Sequence, residues 1–282
     1  MFQFLGSRSV HKIILLTHYV EQMQNVSEFY ENKEFQDTQL ELKEKRIEIE
    51  KGGLLGKVVK ALNSFAISCE SILDIGGGSG INLVLYSEAT GAKRLCSLDI
   101  REPKLKLPEI QYFKMPIEKM DQLGLPKFDV IVLTEVIEHI FDPDNLIENA
   151  IKLLNDHGIL IITTPNLSGF LNIVTLSLGF QPVDTEVSVS HRYGRPFKSG
   201  RGEIVGHIRV FTLRALSEML HAHGLEIVSL KSCGRLLADR NVSFSLRLIS
   251  VIDRCFSHLY KHGGTRMIAV CKKMGGQRPP QL

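Results

Sequence analysis

A chain of 282 residues allows one large domain or two small ones, with a core that needs no staples. Its 44% apolar and 23% charged residues belong to a folded globular protein rather than a disordered one. Against 34 Lys and Arg stand 31 Asp and Glu, and the resulting net charge of +3 argues against a dedicated nucleic-acid binder, which carries a denser basic stripe.

Residues 1–70 read as helical. Charges alternate in sign from Gln36 to Lys51, with Glu41 four residues before Lys45, as on a solvated helix. Gly52 and Gly53 end it, and a second helix follows with Leu55, Val58, Val59, Leu62 and Phe65 on one face. After Cys69 short apolar runs alternate with helical patterns. The predicted strands are Ser71–Ile75, Arg94–Ile100, Ile110–Phe113, Asp129–Leu133, Ile159–Thr164, Glu226–Leu230 and Met267–Cys271. The predicted helices between them include Ile81–Glu88, Asn145–Leu154, Leu213–Ala222 and Ser243–Tyr260. Such alternation, with buried-looking strands, predicts an α/β doubly wound sheet covered on both faces. The organisation expected is an N-terminal helical extension (1–50), an α/β domain (51–274) with an insertion at 165–210, and a disordered Gly/Gln/Pro-rich tail (275–282).

Five cysteines, an odd number with no CxxC pair, fit core positions in a reducing, cytoplasmic setting. No apolar run approaches the roughly 18 residues of a membrane span. The patch Ile13 to Leu16 is too short for a secretory signal and lacks its small-residue cleavage site.

The sharpest local signal is ILDIGGGSG, Ile72 to Gly80. A buried strand runs into glycines and then into a helix, a turn in which the backbone takes unusual dihedrals and approaches a ligand closely. Gly76, Gly78 and Gly80 give G-x-G-x-G, and Ile81 stands where a dinucleotide fingerprint needs its third glycine. A nicotinamide oxidoreductase is therefore disfavoured. Asp74, just before the loop, is a poor neighbour for a pyrophosphate and a good one for a cation. Asp99 closes the second strand, where a carboxylate can take both hydroxyls of a ribose. A ligand with a ribose, a cationic end and no phosphate is S-adenosylmethionine.

The chain here resembles the class I S-adenosylmethionine-dependent methyltransferases, of the ubiquinone-pathway O-methyltransferase or methyltransferase-domain 11 and 23 type. ILDIGGGSG resembles the first motif, FDVIVLTEVIEH (Phe128 to His139) the fourth-strand motif and GILIITTPN (Gly158 to Asn166) the fifth strand. HIRVFTLRALSEMLHAHGLEIV (His207 to Val228) resembles the closing helix and sixth strand. The resemblance implies a Rossmann-like seven-stranded sheet whose last strand, at Met267–Cys271, is antiparallel. It also implies that Asp74, Gly76, Gly77, Gly78, Ser79 and Gly80 hold the cofactor's methionine end, with Asp99 and Ile100 on the ribose. Pro116, Ile117 and Glu118 would lie along the adenine, and Thr134 at the end of strand four. Pro116 stands where the family usually has an acid, so adenine contacts fall to backbone and Ile117.

Methyl transfer to a hydroxyl requires removal of its proton, by a general base or a metal. If the chain turns helical after Thr134, then Glu135, Glu138 and His139 share one face at i, i+3 and i+4. Three readings stay open. The carboxylates could serve a helix's first turn; His139 could be a base oriented by a glutamate; or Glu135, Glu138 and His139 could hold a divalent cation such as Mg²⁺ or Zn²⁺. Resemblance favours the metal, because an ExxEH set is similar to that of the ubiquinone-pathway O-methyltransferases. The small-RNA 2′-O-methyltransferases add a distal histidine, where His207 stands here.

The insertion, Pro165 to Val210, begins with an apolar stretch, Phe170 to Phe180, suited to a lid over a lipid-like acceptor or to a membrane surface. His191, Arg192, Tyr193 and Arg195 follow as candidates for binding a carboxylate or phosphate on the acceptor, with Lys198 and Arg201 beyond. The expectation is a methyltransferase acting on an oxygen of a small or lipid-linked hydroxylated metabolite, with peripheral membrane contact open and the oligomeric state undetermined. The alternatives are a metal-dependent RNA ribose 2′-O-methyltransferase and, from another class, a non-catalytic S-adenosylmethionine-binding partner or sensor.

Overall fold

A computed structural model describes residues 33–65, 68–103, 106–195, 205–234, 251–253, 255–256, 260 and 262–274. The expectations for residues 1–32, for most of the helix at 243–260, for Lys198 and Arg201 and for the tail lie outside the described residues.

Seven strands form one sheet in the order β3-β2-β1-β4-β5-β7-β6. They are β1 (Ser71–Ile75), β2 (Arg94–Asp99), β3 (Ile110–Lys114), β4 (Phe128–Thr134), β5 (Leu154–Pro165), β6 (Leu225–Cys233) and β7 (Arg266–Lys273). The first five pair in parallel, and β7 runs antiparallel to both β5 and β6. The six main helices among the described residues are α1 (Lys33–Glu50), α2 (Leu54–Phe65), α3 (Ile81–Thr90), α4 (Pro143–Leu153), α5 (Phe170–Ser177) and α6 (Leu213–Ala222).

Two-residue alternation along the strands divides the core. Ile72, Val130, Ile161 and Ile268 face Leu55, Val58 and Leu62 of α2 and Ile81 and Tyr86 of α3. Leu73, Ile131, Leu160 and Ala269 face Leu146 and Ile147 of α4 and Leu216 and Leu220 of α6. Each such fully buried aliphatic side chain contributes about 1.5–3 kcal/mol of transfer free energy. Burial on both faces explains why the central strands read as continuous apolar runs.

Three local readings are corrected. Ile100 leaves β2 and is 61% exposed. Helix α4 begins two residues earlier than its apolar period suggests, because Asp142 caps it by accepting from Asn145 N (3.0 Å) and Pro143 opens its first turn. Cys255 is exposed, whereas the other four cysteines are buried.

Helix α1 lies against α2 and α3, with Leu42 and Ile49 on the core and an Arg46–Glu88 ion pair of 2.6 Å. Its Glu41 accepts from Ser79 Oγ at 3.5 Å, which brings the N-terminal extension to the glycine loop. Among the described residues, no helix is long and apolar enough to cross a membrane.

Candidate active site

The strand order reverses between β1 and β4, and the crevice beyond their carboxyl ends is where an open α/β sheet binds its ligand. From β1 the chain enters Gly76–Gly80, with Gly76 at φ 76° and Gly80 at φ 81°. A Cβ on Gly76 would strike Val136 Cγ2, so the glycine lets the loop after β1 touch the loop after β4. A Cβ on Gly77 would lie 2.5 Å from Ser97 Oγ and 3.1 Å from Asp74 Oδ2. Both of those oxygens are buried without a hydrogen-bond partner among the described residues.

This cradle fits the cationic end of S-adenosylmethionine. Burial, with the Asp99 charge adding to it, pushes the Asp74 carboxyl from its ordinary 3.8 up to about 7. A buried carboxylate without a partner is costly, and an ammonium or sulfonium beside it would remove that cost. Asp99 accepts from Gly78 N (3.1 Å) through one oxygen and from Arg101 N (2.8 Å) through the other. Each oxygen keeps a second lone pair, so a ribose can still be accepted. Tyr112 steadies the loop by donating to Ser79 O at 3.0 Å, and Thr134 Oγ1 pairs with the buried Tyr86 hydroxyl at 3.1 Å. Ile117 points into the core, while Pro116 and Glu118 are exposed.

After β4 the chain does not continue as an α-helix. Glu135 takes φ 56°, and a single 3-10 turn spans Ile137–His139. The common face expected for Glu135, Glu138 and His139 is therefore absent. Glu135 turns toward β5 and β7, where it meets Thr163 Oγ1 (3.2 Å) and Arg266 Nε (2.7 Å). Glu138 is fully buried, its Oε2 accepting from Thr164 Oγ1 at 3.0 Å and its Oε1 without a hydrogen-bond partner among the described residues.

Facing Glu138 Oε1 are His139 Nε2 at 3.9 Å and His207 Nε2 at 4.0 Å, in rings whose centroids are 5.0 Å apart. His139 Nδ1 meets Gly206 O at 3.0 Å and His207 Nδ1 meets Asp184 O at 2.7 Å. A carbonyl can only accept, so both rings carry the proton on Nδ1 and aim the Nε2 lone pair at Glu138. Burial holds His139 below the ordinary imidazole range, and burial with the Glu135 charge lifts Glu138 above the usual carboxylate range. One candidate ligand atom from each of Glu138, His139 and His207 lies within 4.8 Å of the others. Two imidazoles oriented by carbonyls and one carboxylate suit a divalent first-row cation.

The methyltransferase-domain family matches residues 29–230, well over half of the chain. The chain belongs to that family. A region of 112 residues is 31% identical to the ribosomal protein L11 methyltransferase of Staphylococcus aureus strain JH1, covering 36% of this chain and 34% of that one. The chain thus spans about a third of the length of the curated relatives it matches. Among solved structures it is similar to the plantazolicin methyltransferase BamL, at a TM-score of 0.51 and 15% identity, covering 94% of this chain and 99% of that one. It is also similar to the CcbJ methyltransferase of Streptomyces caelestis, at a TM-score of 0.50 and 14% identity, covering 77% and 89%. At these identities the likeness is one of fold, and both neighbours are methyltransferases.

On this methyltransferase scaffold the insertion differs from its sequence reading. Arg192 is bound to Glu186 (3.1 Å), and Arg195 donates to the carbonyls of Pro182, Val183 and Thr185. Arg192 Nε and both terminal nitrogens of Arg195 are thus engaged within the insertion. His191 and Tyr193 are exposed, their rings 5.9 Å apart. In α5 the polar Asn172 and Thr175 are buried, while Leu176 and the following Leu178 are 62% and 67% exposed. Sequence reasoning missed Thr164, Asp184, Glu186 and Arg266 around the histidines. Thr164 lies inside the quoted fifth-strand motif; the other three had no local spacing to announce them.

Proposed function

We propose that this methyltransferase uses S-adenosylmethionine to methylate a hydroxyl oxygen of a small or lipid-linked metabolite, with Glu138, His139 and His207 holding a divalent cation that activates that hydroxyl. The observation that carries the activation step is the convergence of two Nε2 lone pairs on the unpartnered Oε1 of Glu138. S-adenosylmethionine supplies a methyl on a sulfonium, a leaving group already activated by its charge. The chain's own task is alignment. Asp74 offers negative charge to the cofactor's cationic end, Gly76–Gly80 let the backbone approach it, and Asp99 accepts from the ribose. Val136, touching Gly76, keeps the cofactor loop and the Glu138 turn in a fixed relation. Gly206 O and Asp184 O keep both imidazoles in the tautomer that leaves Nε2 free. The exposed apolar surface of Ile173, Leu176 and Leu178 favours a lipid-linked acceptor.

A second reading is favoured by His207, since the small-RNA 2′-O-methyltransferases carry a distal histidine there; in it the acceptor is an RNA ribose 2′-hydroxyl. The test is transfer of labelled methyl from S-adenosylmethionine to a prenylated phenol in detergent, a free catechol and an RNA oligonucleotide, each with and without chelator. Chelator-sensitive labelling of the phenol or catechol supports the first reading. Labelling of RNA alone replaces it with the second. Transfer that chelator leaves untouched refutes the cation's role.

A further inference from the structure

Arg266 opens β7, at the far side of β5 from the glycine loop, and its side chain is only 10% exposed. Its guanidinium holds two carboxylates from distant parts of the chain. Nε meets Glu135 Oε2 at 2.7 Å, and NH1 meets Asp184 Oδ1 at 3.0 Å. Asp184 lies in the insertion and is itself buried. Its other carboxylate oxygen accepts from Asn172 Nδ2 (3.1 Å), its amide donates to Asn172 Oδ1 (3.3 Å), and its carbonyl takes His207 Nδ1 (2.7 Å). The buried Asn172 of α5, out of place in an apolar helix, thereby has its reason. Arg195 closes the same turn through the carbonyls on both sides of Asp184.

We propose that Arg266 and Asp184 are positioning residues for the Glu138–His139–His207 centre: one guanidinium draws Glu135 out of the ligand set and anchors the turn whose carbonyl orients His207. The inference rests on the cation-binding reading above. Three consequences follow from the geometry. The centre keeps a single carboxylate because Glu135 is neutralised elsewhere. The His207 ring is fixed as the Nδ1–H tautomer before any ligand arrives. The insertion, the acceptor-side part of the chain, is coupled to the last strand of the sheet through a guanidinium that bridges two carboxylates, Glu135 by Nε and Asp184 by NH1, a fork that lysine cannot reproduce.

Two measurements on the full chain test this, one of them independent of metal. Visible absorption during Co²⁺ titration reports coordination in the wild type, Asp184→Asn, Arg266→Lys and His207→Ala, with S-adenosylhomocysteine binding followed alongside. Nitrogen-15 imidazole spectra of metal-free protein report the His207 tautomer. The expected result is cobalt bands in the wild type, lost in His207→Ala and weakened about ten- to a hundredfold in apparent affinity in the other two variants. S-adenosylhomocysteine affinity stays at the wild-type level in both, and His207 is Nδ1–H in the wild type but mixed in the variants. Should Asp184→Asn fail to fold, Arg266→Lys keeps the charge and decides. Wild-type cobalt affinity and an unchanged His207 tautomer in the variants would overturn the proposal. Absence of cobalt bands from a wild type that binds S-adenosylhomocysteine would overturn the cation-binding reading instead. The tautomer spectra would then judge the positioning of His207 alone: a fixed wild-type ring released by either substitution sustains it, and a mixed wild-type ring refutes it.

Discussion

Asp74→Asn changes one atom and should remove the pH dependence of cofactor binding. Asp74 is 2% exposed, its Oδ2 has no hydrogen-bond partner among the described residues, and burial with the Asp99 charge raises its pKa from 3.8 to about 7. The folded protein therefore holds a proton on Asp74 between about pH 4 and 7 that the unfolded chain has released. Stability without cofactor falls as pH rises through that window, by about 4 kcal/mol once pH exceeds 7. Binding a cation beside Asp74 requires the carboxylate. Each pH unit below 7 should then weaken binding about tenfold, and the change from pH 8 to pH 5 should weaken it about a hundredfold. Calorimetric titration of S-adenosylhomocysteine, whose amino group supplies the cation, at pH 5, 6, 7 and 8 measures this directly. In Asp74→Asn the affinity should be weaker at pH 8 and flat across the range, and the unliganded variant should melt higher than the wild type at pH 8. A wild-type affinity without pH dependence, or a slope that survives in Asp74→Asn, refutes the assignment of Asp74 to the cationic end.

Gly77→Ala should lower the melting temperature by a destabilisation of about 1–3 kcal/mol and weaken S-adenosylhomocysteine binding, because the added Cβ sits 2.5 Å from Ser97 Oγ; wild-type behaviour in both would remove the close-approach argument. Tyr86→Phe deletes the 3.1 Å hydrogen bond to Thr134 inside the core and should cost about 1 kcal/mol in urea denaturation. Arg214→Ala breaks the Glu218 pair, whose side chains are 87% and 60% exposed, and should leave the urea midpoint unchanged, because solvent screens an exposed pair. A lower midpoint there would mean that surface pairing carries more of the fold than the buried sheet faces imply.

What the sequence disclosed was local. The Ile72–Gly80 turn combines a buried strand, three glycines at alternate positions and an acid within nine residues, and each feature acts on its immediate neighbours. The strands β1, β4 and β5 were readable because burial on both faces writes continuous apolar runs. Glu135 was misread because its spacing to Glu138 and His139 is helical, yet its backbone is left-handed and Arg266, 131 residues away in sequence, draws it aside. The Arg266–Asp184 pair spans 82 residues and has no signature in either segment. Helix α5 holds a feature that its apolar composition does not announce: the polar Asn172 and Thr175 are buried, held by Thr175 bonding to Leu171 O and Asn172 bonding to Asp184. His207 was placed near the site by resemblance, and its ring orientation followed from the insertion's own hydrogen bonds.

The central claim is that one crevice holds both S-adenosylmethionine and a divalent cation. Its most direct test is calorimetry on chelator-treated protein, titrating S-adenosylhomocysteine first and then Mg²⁺ or Zn²⁺, with His207→Ala in parallel. Saturable binding of S-adenosylhomocysteine to both proteins and a separate cation-binding heat in the wild type alone are expected. A cation heat that persists in His207→Ala, or no S-adenosylhomocysteine binding to either protein, would contradict the claim.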